Sequence, residues 1–348
     1  MDCPKDEWVA AAQRGDWNFL QTARAADPSR PLDPMLAVHA AHEGHWPVLQ
    51  WLKDQGCPCW NEFTCGAAAI GGQKEVLQWL RSQTPPCPWN ALTSRWAALN
   101  GHGELLRWAL AEGCPWDEYT CAAAAEGGHL GLLQWLRENG CPWDETTCSH
   151  AADDGQLEIL QWARSQTPPC PWDAHTCRNA ARGGHFEILQ WVRAHGCPWD
   201  QTTGWMAVRQ GHFEMLQWAR ANGCPWDETT CLIAARYDDS EFLPWLIARG
   251  CPYRVPDLIN EAFHHSRWKT LHWLLQTFPV THNFCALPRE HSIGQFEHYT
   301  ARQGLAQHHN LQWHPSIKSW LAALDDVAEH LEQHFLCHDV TGLLQKYV

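Results

Sequence analysis

The chain has 348 residues, 45% apolar and 18% charged, and its 39 acidic against 25 basic side chains give a net charge of -14. That balance repels a phosphate backbone and disfavours general nucleic-acid binding, and no uncharged apolar run reaches the 18 or more residues that a membrane span requires. The 17 cysteines are odd in number and follow no apolar leader, so reduced thiols and an intracellular, cytoplasmic location are expected.

Two degenerate units open the chain, with AAQRGDWNFLQ at residues 11–21 and AAHEGHWPVLQW at residues 40–51. From Cys57 a block close to CPWDETTC recurs, starting again at Cys87, Cys114, Cys141, Cys170, Cys197, Cys224 and Cys251. The spacings are 30, 27, 27, 29, 27, 27 and 27 residues, and a fixed period of this size marks a solenoid whose units bury their apolar faces only by stacking.

Residues 141–169 illustrate one unit. Asp144 or Thr146 caps a short first helix whose buried side carries Cys148, Ala151 and Ala152, and Gly155 ends it. A second helix runs through Leu157, Ile159, Leu160, Trp162 and Ala163, with Glu158 in its first turn and Arg164 in its last. Most second helices stop at a glycine (Gly113, Gly140, Gly196, Gly223, Gly250). Two instead carry the string RSQTPPCPW, at residues 81–89 and 164–172, which suggests duplication of a three-repeat block.

The segments AADDGQLEILQW, AARGGHFEILQW and AAEGGHLGLLQW resemble the helical part of ankyrin repeats. The period is shorter than the usual 33 residues, and TTC stands where ankyrin units carry TPLH. This short, CPWD-containing form resembles ankyrin-type proteins of giant DNA viruses and protists. The resemblance implies an all-α helix-turn-helix solenoid of about nine units over residues 1–275, its hairpin finger cut back to a Cys-Pro-Trp loop. Residues 276–348 are expected to hold a degenerate repeat around GQFEHY and a helical cap with Ile317, Trp320, Leu321, Leu324, Val327, Leu331 and Phe335 on one side.

Of 24 tryptophans, seven fall in the loop register (Trp60, Trp89, Trp116, Trp143, Trp172, Trp199, Trp226) and nine in the second-helix register from Trp51 to Trp273. Their register assigns them to packing between units rather than to sugar or base stacking. The cysteines follow suit, eight in the loop and five (Cys65, Cys121, Cys148, Cys177, Cys231) on first helices, at a spacing unlike the close pairs of zinc fingers. Weak metal candidates are His330, His334 and His338 near the C-terminus, with Cys337 beside them, and His39, His42 and His45. No phosphate-cradling, dinucleotide-binding or nucleophile-elbow motif is present, so neither enzymatic activity nor a cofactor is expected.

In ankyrin repeats the residues after the paired alanines of the first helix face a concave groove and vary with the partner. By that resemblance the register reads Gln13, His42, Ile70, Leu99, Glu126, Asp153, Arg182, Arg209 and Arg236. Glu126, Asp153 and Asp154 would form an acidic middle; Arg182, Arg209 and Arg236, with Arg178, Gln210 and Tyr237, a basic strip suited to an acidic segment of another protein. Two alternatives remain: a ubiquitin-ligase adaptor using an F-box-like stretch at residues 286–296, and a zinc-binding or metalloenzyme module built on the C-terminal histidines.

Overall fold

Each repeat carries its own start and stop signals, and the computed structural model, which describes residues 5–57, 60–237, 241–265 and 267–278, places helices between them. Asn61, Asn90, Asp144 and Asp173 sit in extended backbone and accept a first-turn N–H, from Thr64, Leu92, Thr146 and His175 respectively. Asp117 goes further and forms a reciprocal capping box with Thr120. Such a cap satisfies a donor that the first turn leaves open. Of the two caps expected for residues 141–169, Asp144 is the one used.

The resulting helices are short. Glu118–Glu126 is followed by Leu130–Glu138, and Glu145–Asp153 by Leu157–Ser165, each of nine residues. Isolated helices of this length are unstable in water, so their order comes from packing. First helices contribute buried alanine and cysteine, and second helices contribute Leu105, Leu106, Leu133, Leu136, Leu160 and Leu189, all 2% exposed or less. Small residues on one side and branched aliphatics on the other allow close approach without voids.

The chain divides into two units, Met1–Thr203 and Gly204–Val348. In the first, the first helices pack in chain order: Lys5–Arg14 on Met35–Glu43, then Glu62–Ile70, Ala91–Leu99, Glu118–Glu126, Glu145–Asp153 and Ala174–Gly183, each also against its own second helix. In the second, Glu228–Tyr237 packs on Val255–His264, with Phe242–Ala248 and Trp268–Thr277 as their second helices. The architecture is all-helical and repetitive, and among the described residues no strand forms. No helix among them is long and apolar enough to cross a membrane. The expected cap helix, the GQFEHY unit and the F-box-like stretch lie outside the described residues.

Two registers differ from expectation. The loop tryptophans are half-buried rather than core residues: Trp143 and Trp172 pack edge-on against Trp162 and Trp191, at 5.8 and 6.1 Å between ring centroids. Over them lie arginines of the preceding second helix, Arg137 at 4.2 Å and Arg164 at 3.9 Å. Each guanidinium also donates to the loop carbonyl, Arg81 to Cys87 O at 2.6 Å and Arg137 to Cys141 O. Charge over the ring face therefore keeps this layer at the surface. Among the described residues the cysteines are buried and twelve are free thiols. Cys57, by contrast, is disulfide-bonded.

Candidate functional site

At the end of the first helix the repeats differ in side chain while the turn keeps its backbone. A glycine there takes positive φ, as at Gly101 (73°) and Gly155 (78°), and the next residue but one begins the second helix. In the following repeat a histidine at the mouth of the second helix reaches back. His45 Nε2 donates to Gln13 O at 2.7 Å, His102 to Ile70 O at 2.9 Å, His129 to Leu99 O at 3.0 Å and His185 to Asp153 O at 2.9 Å. Because a carbonyl only accepts, Nε2 must carry the proton. Gln73 makes the same bond to His42 O at 3.3 Å, and in the second unit Arg267 Nε to Arg236 O at 2.6 Å. Gly101 and Gly155 lie directly under the His129 and His185 rings, where a Cβ would come within 2.5 and 2.8 Å.

The main chain at this register is thus tied at Gln13, His42, Ile70, Leu99 and Asp153, while these side chains and those of Glu126 and Arg182 are partly or fully open to solvent in the first unit. Glu126 accepts from His150 Nδ1 at 2.8 Å. Asp153, only 17% exposed, is gripped by both arms of Arg182, Nε to Oδ1 being 2.8 Å. Burial and then the Glu126 carboxylate lift Asp154 above its ordinary pKa, against His150 and His185, which lower it. Arg178 is half-buried and makes no ion pair or hydrogen bond among the described residues.

In the second unit Arg209, Gln210 and Tyr237 are exposed, and Arg209 lies over the Tyr237 ring at 5.5 Å. Arg236 forms a fork with Glu261 at 2.9 and 3.1 Å, and His265 approaches the same carboxylate at 3.5 Å. Burial, followed by Arg236, holds that histidine below its usual pKa.

The expected basic strip is therefore not three free cations. Arg182 and Arg236 are neutralised within their own units, and of the three only Arg209 lacks a carboxylate partner among the described residues. His39, His42 and His45 point to three different partners, Gln13, Glu43 and the Gln13 carbonyl. No group of three or more metal-ligating side chains occurs among the described residues; His330, His334 and His338 lie outside them.

Sequence reasoning missed a second set of ties. Arg95 reaches Asp117, Nε to Oδ1 being 3.0 Å, and Trp205 Nε1 donates to Asp227 Oδ1 at 3.0 Å, each bonding the capping carboxylate of the following repeat. Both stand one residue after the first-helix cysteine register, a shared position that could have marked them. No protein-family model matches the chain, and a search of curated proteins finds no match to it.

Proposed function

We propose that the chain is an ankyrin-like repeat protein whose role is to bind another polypeptide along the ends of its first helices, as a recognition module rather than a catalyst. One observation carries this reading. At one register the backbone carbonyl of several repeats is bound by the next repeat, as Ile70 is by His102 and Leu99 by His129, while the side chain takes no part in that bond. Identity there runs from glutamine through isoleucine and leucine to acid and arginine, whereas the core registers stay small or apolar. A frame that holds while its presented residues change is suited to recognition.

The ankyrin-like reading is supported by the paired short helices, the Gly-His turn and the stacking of like helices in chain order. The first unit offers an apolar stretch at Ile70 and Leu99 followed by Glu126 and Asp154, which fits a segment with an apolar anchor followed by a basic residue. Photoreactive residues at Leu99 and Asp154, with Glu138 on the exposed side of a second helix as control, test this in the native cell. One polypeptide should crosslink from the first two positions and not from Glu138, and its recovery should fall at least tenfold, roughly 1.4 kcal/mol, on joint Glu126→Lys and Asp154→Lys substitution. Equal crosslinking from Glu138, or unchanged recovery, would reject the reading.

A further inference from the structure

Equivalent positions on stacked helices are about 8–10 Å apart, too far for cysteines of one register to bond to each other, since a disulfide needs Cα atoms within ~7 Å. Cysteines of different registers do meet. Cys65, Cys121, Cys148 and Cys231 lie on first helices, and Cys87, Cys141, Cys170 and Cys251 lie in the loop one repeat on. All eight are free and at most 2% exposed. The loop thiol is aimed by a bond to the capping residue of the preceding repeat: Cys87 to Asn61 O at 3.3 Å, Cys141 to Asp117 O at 3.5 Å, Cys170 to Asp144 O at 3.4 Å and Cys251 to Asp227 O at 3.4 Å. That capping residue stands four before the first-helix cysteine, one turn away, so the two side chains are brought to one place, and the neighbouring loop thiol raises the pKa of the helix thiol in each pair. Cys65 Sγ also lies 3.7 Å from the Cys87 carbonyl. In the third repeat serine replaces the helix cysteine, and Ser94 Oγ donates to Cys114 Sγ at 3.2 Å. That distance measures side-chain approach at this pair of registers.

We propose that these four thiol pairs are oxidative modification sites, each closing to a disulfide that joins a first helix to the loop of the next repeat. The oxidant is a hydroperoxide. One thiol sulfur attacks it, the O–O bond breaks, and the sulfur keeps one hydroxyl as a sulfenic acid while hydrogen peroxide's other oxygen leaves as water. The partner sulfur then attacks the sulfenic sulfur; the S–S bond forms, the S–O bond breaks, and a second water leaves with the partner's proton. Two thiols lose two electrons and the peroxide gains them. Contact with the loop thiol and burial both keep the helix thiols protonated, so reaction proceeds through opening of the loop and is slow beside that of an exposed thiolate.

The test uses the full-length chain, purified reduced, treated with hydrogen peroxide, alkylated and mapped without reduction by mass spectrometry. Links 65–87, 121–141, 148–170 and 231–251 should appear, each lowering the mass by two hydrogens, and the thermal midpoint should rise and return to its starting value with reductant. Cys114, facing Ser94, should remain alkylatable in the same sample. Ser94→Cys should add a 94–114 link, and Cys148→Ser should leave Cys170 alkylatable. Disulfides joining loop cysteines to one another, loss of Cys114 at the same rate as the pairs, four pairs that stay fully alkylatable, or a Ser94→Cys chain that forms no new link would each overturn the proposal.

Discussion

At the scale of single residues, glycine serves two purposes that can be separated. Gly101 and Gly113 both have positive φ, 73° and 83°. A Cβ on Gly101 would strike the His129 ring, whereas around Gly113 nothing lies within 4 Å. His129 is not free to swing aside, because its Nε2 is committed to Leu99 O. Gly113→Ala should therefore cost only the backbone term, about 1 kcal/mol. Gly101→Ala should cost about 2–3 kcal/mol, the added part being the broken hydrogen bond and displaced ring. Urea denaturation of the two variants checks this, and equal losses would show that the histidine yields without penalty.

At the scale of elements, the second helix and its loop form a layered unit in which Arg164 covers Trp172, donates to Cys170 O, and Trp172 in turn meets the edge of Trp191. Arg164→Ala removes both the cation over the ring and the donor to the loop, and should destabilise by about 1–2 kcal/mol. Arg164→Lys, which keeps charge but loses the planar fork, should recover only part of that. Tryptophan fluorescence during denaturation reads both. This layer was half legible in the sequence. The 27-residue beat placed Trp143 and Trp172 in a structural register, but recurrence does not say which side of a short helix is wet, and Arg164 read only as a charge suited to the helix end. The Asp153–Arg182 fork was open to inspection, since both hold the same register in adjacent repeats with opposite charge. The Arg236–Glu261 fork was hidden because Glu261 stands where other repeats keep the first of two alanines, and no rule of the repeat announces a carboxylate there.

At the scale of the molecule, the buried thiols link stability to pH. Hydrogen bonding to the loop thiol and then burial raise the pKa values of Cys65, Cys121, Cys148 and Cys231, and burial raises that of Cys114. Above the unfolded thiol value of about 8.5 the unfolded chain loses protons that the native chain keeps. The unfolded state then binds fewer protons, so the stability contributed by these thiols is complete below about pH 8.5 and declines as pH rises. Each retained proton removes about 1.4 kcal/mol per pH unit beyond that point. Urea midpoints should be flat in this respect from pH 7 to about 8.5 and then fall steeply, with Cys148→Ala making the decline shallower. A midpoint that stays level to about pH 10 would show that the thiols ionise within the fold.

Unlike the forward bonds of Arg95, Trp205 and Arg236, the ties that end on the carbonyls of a first helix and its cap have a direction. His45, His102, His129 and His185 donate backwards, to a carbonyl some thirty residues earlier, as do the loop cysteines and Asn179, whose side-chain amide reaches Ser149 O at 3.2 Å. A ribosome releases the acceptor first and its donor later. Each emerging repeat consequently meets a finished surface with its carbonyls waiting, and the growing chain can lock in order of synthesis, one repeat templating the next.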